Sequence, residues 1–452
     1  MRLATDEHPG RAITKEHASA NRTSTRREQT LARALLVVAM LAVLPTGIRA
    51  GFSFWFVVEA AGILFALRTL LSEQRQNLAD ALFAAPALTA WLLGSGLLAS
   101  LQVLTGLSSS PFSTLGSLHY WIGSLLLIPI IYRSRLHSST FLLPRWLSGL
   151  IALLLSVSLI SGTYAIYHPI SAEATPAWWP FAYRNHYCAL VVLAIPMLLE
   201  TAIQDQRGRW LATVATTIGV AGVASCGSRS GLAALAVTLL GFGAAYFPKL
   251  RRRGLVPAAT AFACCLVAVL TLTNWAALGY RLKQENSLLD GRLAFWKASS
   301  QMILERPLLG WGFGVWPDLY PQFMVRDLGL IVNHAHSDWL EFTAEGGLMI
   351  LPLLGALFLR SLLLSRRQPW AIGVPVFLAM SMVDYPLQLP LLLVVLVTLH
   401  CLSEIHRQAF DPLPLFVLPP VAWLKDRLRP LSIQPRFRGG ISSQRGIPEG
   451  GA

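Results

Sequence analysis

The chain has 452 residues, of which 54% are hydrophobic and 13% are charged, and its formal net charge is +14. Soluble domains contain about 25% charged residues, so the composition excludes an ordinary soluble protein and predicts an integral helical membrane protein. The positive charge gathers in the two tails and the connections, without the aromatic interleaving or zinc-ligand spacing of nucleic-acid-binding proteins. We therefore expect this charge to set membrane topology, with membrane lipids and no nucleic acid as partners.

Long uncharged runs along the chain predict the transmembrane helices. An apolar stretch of about twenty residues is long enough to cross a bilayer. The runs indicate an all-α polytopic membrane protein with about twelve transmembrane helices. They lie at 31–48, 51–70, 80–104, 116–132, 147–167, 186–202, 210–226, 230–247, 256–275, 346–364, 369–385 and 388–405.

The lysines and arginines predict how these helices are oriented. With the N-terminus inside, the connections that would face the cytoplasm carry most of the basic residues, as the positive-inside rule requires. Arg49, Arg184 and Arg229 are the single exceptions in the short connections of the opposite side. Both termini are therefore expected in the cytoplasm.

This topology divides the chain into five parts. They are a basic cytoplasmic tail (1–30), helices 1–9 (31–275), one long external loop (276–345), helices 10–12 (346–405) and a cytoplasmic C-terminal tail (406–452). Long loops in compact proteins usually carry function. Within the long loop, the pattern at 291–307 predicts an amphipathic helix that ends at Pro307.

The densest polar cluster, NHAHSDWLEFTAEGG at 333–347, ends the long loop beside an apolar run. If a helix begins near Asn333, three- and four-residue spacing places His336 on a protein-facing side, and His334 on a wetter side with the acids. A histidine on the protein-facing side can take a proton from a hydroxyl near neutral pH. The simpler alternative is a polar helix end that is merely hydrated. A metal site is not expected, because a helix would point the two histidines about 200° apart.

Arginines at two positions are candidates for binding an anion. Arg229, in CGSRSG, interrupts two nearly uncharged spans, where ionisable residues are expensive and usually functional. Arg292 stands near the start of the predicted loop helix, and a guanidinium group matches the oxygens of a phosphate. The simpler alternatives are an interfacial turn for Arg229 and a salt bridge to Asp290 for Arg292.

A fourth polar segment, RNH, brings Arg184 and Asn185 to the point where an external connection re-enters the membrane. Asn185 is suited to a sugar, to a phosphate or to capping the next helix. The chain has no convincing phosphate-binding loop, dinucleotide fingerprint, acidic metal pair or serine-hydrolase elbow. We therefore expect no cofactor, no metal and no nucleotide-driven reaction.

Five polar segments, taken in order, resemble the O-antigen ligase and polymerase superfamily of bacterial envelope glycosyltransferases. They are FAYRNHYCAL, GSRSGLAAL, GRLAFWKASSQMILERPLLGWGFGVWP, NHAHSDWLEFTAEGGL and DYPLQLP. The resemblance implies an inner-membrane enzyme that takes a glycan from an undecaprenyl-diphosphate carrier on the periplasmic face. The glycan would be joined to a hydroxyl of lipid A–core or of another glycan, without metal or nucleotide.

The resemblance also implies roles for individual residues. The loop 276–345 would be a periplasmic catalytic loop in which His336 activates the acceptor hydroxyl, while Arg292 and Arg229 hold the diphosphate leaving group. The residues expected to bind substrate are Asn185, Arg184, Glu345 and His334. Ser337 stands where members of the superfamily commonly have asparagine.

The acceptor distinguishes the functions within this superfamily. Transfer to lipid A–core defines an O-antigen ligase, transfer to another glycan a polymerase, and transfer to a protein hydroxyl an O-oligosaccharyltransferase. Two alternatives come from other classes. A small-anion transporter would use Arg229 and Asp384 as intramembrane charges. A non-catalytic assembly partner would leave Arg229, Arg292 and His336 far apart.

Overall fold

The computed structural model describes most of the chain between residues 29 and 410. The described residues are 82% helical and contain no β-strand. The described ranges are 29–38, 52–71, 76–134, 145–167, 178–181, 183–246, 285–325 and 331–410, with the single residues 263, 267, 271 and 327. The helices are α1 (Gln29–Val38), α2 (Phe52–Leu71), α3 (Gln76–Phe83), α4 (Pro86–Leu104), α5 (Pro111–Ser134), α6 (Arg145–Tyr167), α7 (Arg184–Gln204), α8 (Arg209–Cys226), α9 (Arg229–Tyr246), α10 (Glu285–Glu305), α11 (Trp316–Phe323), α12 (Asp338–Gly346), α13 (Ile350–Arg367), α14 (Gly373–Met380) and α15 (Pro390–Phe410).

Five of the described helices are long and apolar enough to cross a membrane, namely α4, α5, α7, α9 and most of α15. This confirms an all-helical protein with apolar helices of membrane-spanning length, while the count of about twelve spans stays a prediction. The predicted span 80–104 is divided in two, because Pro86 begins a new helix where its missing N–H is harmless. The predicted span 369–385 contains a 3₁₀ turn followed by α14, which ends at Met380. The predicted span 256–275 lies almost wholly outside the described residues.

α7 lies at the centre of the helical bundle. In the apolar stretch of α7, 94% of the residues are buried, whereas in that of α9 only 28% are buried. Two glycines bring neighbouring helices close to it. A Cβ on Gly222 of α8 would lie 2.1 Å from the hydroxyl of Tyr187, and one on Gly373 of α14 would lie 2.3 Å from the carbonyl oxygen of Val192. Small residues allow this close helix packing in membranes, so α7 is the fixed axis beside which the candidate site is built.

The described part of the long loop contains α10, α11 and α12, which form a layer with its own apolar core. The predicted amphipathic helix is confirmed as α10, which ends at Glu305, before Pro307. Phe295 and Met302 of α10 pack with Trp316 of α11 in a buried cluster separate from the main core of the bundle. The loop layer is therefore held by packing, and its polar residues have defined positions.

Two polar side chains fasten the loop layer to the bundle. Glu345 of α12 accepts a hydrogen bond from the backbone N–H of Trp316 at 3.1 Å, which satisfies a free donor at the start of α11. Gln102, near the end of α4, donates to the carbonyl oxygens of Leu309 at 2.6 Å and Glu345 at 2.8 Å. Glu345 thus connects α11, α12 and α4.

Gly347 makes the turn between α12 and α13. Its φ is +73°, in the region that side chains disfavour. A Cβ at this position would lie 2.1 Å from the carbonyl oxygen of Leu308. Backbone conformation and packing therefore both require glycine.

We expect Gly347→Ala to lower the stability of the protein by about 1–3 kcal/mol, because alanine is strained at this φ and meets the Leu308 backbone. The melting temperature of the purified protein in detergent measures the effect. Gly355→Ala in α13 is the matched control, since a Cβ there meets nothing within 4 Å and helix preference favours alanine. Equal melting temperatures for Gly347→Ala and the wild type would contradict the packing argument.

Candidate active site

The segment that carries the two loop histidines is not helical before Asp338. α12 begins at Asp338, and the hydroxyl of Ser337 accepts a hydrogen bond from the backbone N–H of Leu340 at 3.3 Å as an N-cap. The predicted helix from near Asn333, with His336 and the acids on opposite faces, is therefore wrong. Serine and asparagine cap helices about equally well, so Ser337 fills the capping role that an asparagine would also fill.

The acids of this segment are buried and do not face water. Asp338, Glu341 and Glu345 are each at most 3% exposed. Asp338 Oδ2 accepts a hydrogen bond from the N–H of Leu387 at 2.8 Å, and Glu341 Oε2 accepts one from the N–H of Ala335 at 2.7 Å. The carboxyl groups therefore satisfy backbone donors of the loop and of the connection between α14 and α15.

His336 stands at a sharp bend in the backbone, and aromatic neighbours hold its ring. Its φ of +53° costs a residue with a side chain about 1–2 kcal/mol. The imidazole stacks on Phe295 with ring centroids 5.7 Å apart, and it meets the ring of Tyr385 edge-on at 4.9 Å. The His336 carbonyl oxygen accepts from the Trp296 ring N–H at 3.4 Å. These contacts offset the strain and fix the orientation of the imidazole.

One face of α10 supplies several of these contacts. Arg292, Phe295 and Trp296 are three and four residues apart, so their side chains share that face. Phe295 and Trp296 hold His336, while Arg292 Nη2 lies 3.9 Å from Asp384 Oδ2. The loop helix therefore brings an arginine and a histidine to the same place.

Asp384 is the point where the predicted site residues meet. It lies in the connection between α14 and α15 and is 1% exposed. Its Oδ2 accepts a hydrogen bond from Asn185 Nδ2 at 2.6 Å. Its Oδ1 lies 3.7 Å from His336 Nδ1, which is too long for a hydrogen bond but short enough for ionic attraction.

The charge of Asp384 is maintained by its neighbours. Burial by itself raises the pKa of this carboxyl, but His336, His186 and Arg292 outweigh burial and lower the pKa from 3.8 to about 2. The carboxylate is therefore ionised at neutral pH, and it can hold a proton on the facing nitrogen of His336.

Arg229 and Arg184 stand at two neighbouring helix starts. The hydroxyl of Ser228 donates to Asn185 Oδ1 at 2.7 Å and accepts from the N–H of Gly231 at 3.0 Å, which caps α9. Arg229 follows as the first residue of α9, and Arg184 is the first residue of α7, next to Asn185. Arg229 is thus linked to Asp384 through Ser228 and Asn185, and within the described residues it makes no ion pair with that carboxylate.

His334 and Glu345, two of the predicted substrate-binding residues, lie in different surroundings. The His334 ring stacks on Tyr385 with centroids 4.3 Å apart, and its Nδ1 lies 2.9 Å from Glu341 Oε1. Glu345 contacts the loop layer through Trp316. The structure therefore joins Asn185 to the Asp384 group and His334 to Glu341.

From the sequence, Asp384 is considered only as an intramembrane charge of a possible transporter. It is not predicted to belong to this site. The available signal is an acid between apolar runs, in the DYPLQLP segment that contributes to the family resemblance. An acid in such a position is almost never fully buried unless it is paired. Ser228 and Phe295 are also missed, because only the folded chain shows what they contact.

The apolar helices define a polytopic helical membrane protein. Polar residues from the bundle and from the loop layer meet around one carboxylate and form a candidate active site. Residues 212–358 match the family model of the O-antigen ligases. The match supports the resemblance to the superfamily predicted from the sequence, and with it a membrane glycosyltransferase. The matched range includes Arg229, Arg292 and His336 and ends before Asp384. No curated protein matches the chain.

We expect the protonation of Asp338 to make stability depend on pH. Burial, together with Glu341 and Asp384, raises the pKa of Asp338 well above 3.8, although the N–H of Leu387 opposes this. The folded state therefore keeps a proton on Asp338 that the unfolded state loses above about pH 4. The stabilisation that this proton gives the folded state is complete below that pH and declines as pH rises. Asparagine does not titrate, so between about pH 4 and pH 8 the melting temperature of the wild type should fall relative to that of Asp338→Asn. Parallel melting curves for the two proteins would contradict a raised pKa.

Proposed function

We propose that the protein is an O-antigen ligase-like membrane glycosyltransferase. It transfers a glycan from undecaprenyl diphosphate to a hydroxyl of lipid A–core, or of another glycan, on the periplasmic face of the bacterial inner membrane. The observation that carries the proposal is the meeting of Asn185, Arg292 and His336 at one buried carboxylate, Asp384. The family match over residues 212–358 supports the same chemistry.

His336 is the general base in this proposal. A carboxylate 3.7 Å from Nδ1 favours a proton on that nitrogen, which leaves Nε2 as the acceptor. Nε2 takes the proton of the acceptor hydroxyl as the hydroxyl oxygen bonds to the anomeric carbon of the donor sugar. The bond between sugar and phosphate breaks, and its electron pair leaves with the diphosphate.

The two arginines stabilise the leaving group in this proposal. Arg292 is 29% exposed, and among the described residues its one ion pair is the long contact of 3.9 Å with Asp384. Most of its N–H donors can therefore bind a phosphate. Arg229 begins α9, where the backbone N–H groups of the first turn add to its positive charge. Negative charge grows on the diphosphate as the bond breaks, so cations placed there lower the barrier. The proposal assigns this role to arginine side chains and requires no cofactor.

The distribution of basic residues supports a periplasmic site. Arg133, Arg209, Arg366 and Arg407 stand at the ends of α5, α8, α13 and α15 that are opposite the candidate site. The positive-inside rule places those ends in the cytoplasm. The site and the loop 276–345 would then face the periplasm, where lipid-linked glycan is available.

The geometry also bears on the alternatives from other classes. A non-catalytic assembly partner has no need to gather an arginine and a histidine at one carboxylate, as Arg292 and His336 are gathered here. A small-anion transporter would use Asp384 and Arg229 along a path across the bundle. Asp384 instead belongs to a cluster at one end of the helices, beside the loop layer.

A deletion strain separates the two functions within the superfamily. Loss of the O-chain ladder on a lipopolysaccharide gel, with accumulation of lipid-linked glycan, would identify a ligase. A single-repeat cap on the core would identify a polymerase. Unchanged lipopolysaccharide and exopolysaccharide would contradict both.

We expect His336→Ala to reduce glycan transfer by about 10²- to 10⁴-fold, the usual contribution of a general base. Transfer from purified lipid-linked glycan to the acceptor measures the effect, and an unchanged melting temperature excludes unfolding. His336→Gly tests the backbone separately, because glycine relieves the strain of a positive φ while still removing the imidazole. Full transfer by either variant would overturn the role of His336 as the base.

We expect Arg292→Ala and Arg229→Ala each to reduce transfer by about 10²- to 10³-fold, because each removes charge from the leaving group. Arg292→Lys should recover only part of the rate, since lysine lacks the fork of donors that matches a phosphate. Arg366→Ala is the matched control, because Arg366 is exposed at the opposite end of the bundle. Equal rates for Arg292→Ala and Arg366→Ala would contradict a role in binding diphosphate.

A further inference from the structure

A cavity of about 320 Å³ lies beside the candidate active site, between the first turns of α5, the loop around 313–317, and α12. This volume is at the lower end of the range of small-molecule pockets, about 300–1,000 Å³. It has room for a short saccharide but not for a long glycan chain. Two residues expected from the sequence to bind substrate, His334 and Glu345, are in its lining. The mechanism proposed above assigns them no role.

Aromatic and acidic side chains line the cavity. Phe112, Trp121 and Phe313 provide ring faces or edges, while Glu341, Glu345 and Gln388 provide carboxyl and amide groups. No lysine or arginine is among the described residues of the lining. Such a lining suits a neutral ligand with hydroxyl groups and apolar C–H surfaces, and it is unfavourable for a phosphate.

The polar groups of the lining combine hydrogen-bond acceptors with a donor. Glu341 accepts hydrogen bonds from Ala335 at 2.7 Å and from Gln388 at 3.3 Å, and its Oε1 is 2.9 Å from His334 Nδ1. Two carboxyl oxygens can accept about four hydrogen bonds, so Glu341 can accept another from a ligand. Burial and the neighbouring Glu341 raise the pKa of Glu345 well above 4.5, although backbone N–H groups oppose this. A protonated carboxyl can donate to a sugar hydroxyl, and a carboxylate can accept from one.

The cavity is connected to the candidate base through one aromatic ring. His334 is part of the cavity wall, and its ring stacks on Tyr385 at 4.3 Å. The ring of Tyr385 also meets the His336 imidazole edge-on at 4.9 Å. A sugar in the cavity would therefore lie close to the place where the acceptor hydroxyl is activated.

We propose that this cavity is a saccharide-binding subsite for the acceptor glycan. The inference rests on the proposed glycosyltransferase function and adds the position of the acceptor. The donor carries a diphosphate that is drawn to Arg292 and Arg229, neither of which is in the lining of the cavity. The cavity, with its acids and aromatic rings, is then left to the uncharged sugar of the other substrate.

Binding without turnover provides the first test. The probe is the core oligosaccharide released by mild acid from the lipopolysaccharide of the same bacterium, measured by saturation-transfer NMR against the full-length protein in detergent. We expect Phe112→Ala and Glu341→Gln to weaken binding by about threefold to tenfold, as expected for the loss of one ring contact or one charged hydrogen bond. Leu115→Ala is the matched control for Phe112, because Leu115 is an exposed residue of the same helix that does not line the cavity.

Substrate kinetics provide the second test and distinguish the two glycans. A higher KM for the acceptor, with an unchanged KM for the lipid-linked donor, is expected for both Phe112→Ala and Glu341→Gln. A higher KM for the donor alone would assign the cavity to the donor glycan and overturn the acceptor assignment. Unchanged binding and unchanged KM values in both variants would overturn the subsite altogether.

The outcome is separable from that of the proposed function. His336→Ala should bind the oligosaccharide as the wild type does while losing transfer. If the wild type transfers glycan but shows no binding that depends on Phe112 or Glu341, only the subsite fails. If binding depends on these residues but no transfer occurs in the wild type, the subsite remains and the glycosyltransferase proposal fails.

Discussion

The buried carboxylate of Asp384 is the interaction on which the candidate site depends. An ionised carboxylate without partners is strongly unfavourable in an apolar interior, so charged and hydrogen-bonding groups must surround it. Here they come from three separate parts of the chain, namely Asn185 at the start of α7, Arg292 on α10 and His336 before α12. Because each part supplies a partner, the carboxylate holds the apolar bundle and the loop layer in one relative arrangement.

The loop layer is able to position His336 because it is rigid in its own right. A positive φ persists only where surrounding contacts determine it. Phe295 and Tyr385 provide those contacts at the ring, and Ser337 caps α12 immediately afterwards. Glu345 and Gln102 then tie this segment to α11 and α4. The role proposed for His336 requires this degree of restraint, since small misplacements of a catalytic group reduce rates strongly.

The lengths of the apolar runs and the spacing along the loop predict the helical class and the amphipathic helix α10. They do not predict the local structure around His336, because the spacing permits a helix from Asn333 while the capping by Ser337 starts it later. Burial of the acids cannot be predicted for a similar reason. Oδ2 of Asp338 accepts a hydrogen bond from a backbone N–H that lies 49 residues away in the sequence. The pairing of Asn185 with Asp384 spans 199 residues, and no local pattern records such a contact. The spacing of apolar residues shows which side of a helix is apolar. A site depends on which helices and loops come into contact, and the spacing does not show that.

The ring of Tyr385 contacts both His336, beside Asp384, and His334, in the wall of the cavity. In the proposed mechanism Arg292 and Arg229 attract a diphosphate. Glu341 and Glu345 line the cavity, where the part of the chain that the structure describes contributes no lysine or arginine. Whether neutral or ionised, a carboxyl group supplies no positive charge to a diphosphate, so this lining is unfavourable for one. Under the proposed function, a lipid-linked donor would place its diphosphate at the arginines and not in the cavity. The proposed subsite leaves the cavity that contains His334 to the uncharged acceptor sugar, whose hydroxyl would approach His336 from there. In this proposal the distribution of positive charge assigns each substrate to its place before any bond is made or broken.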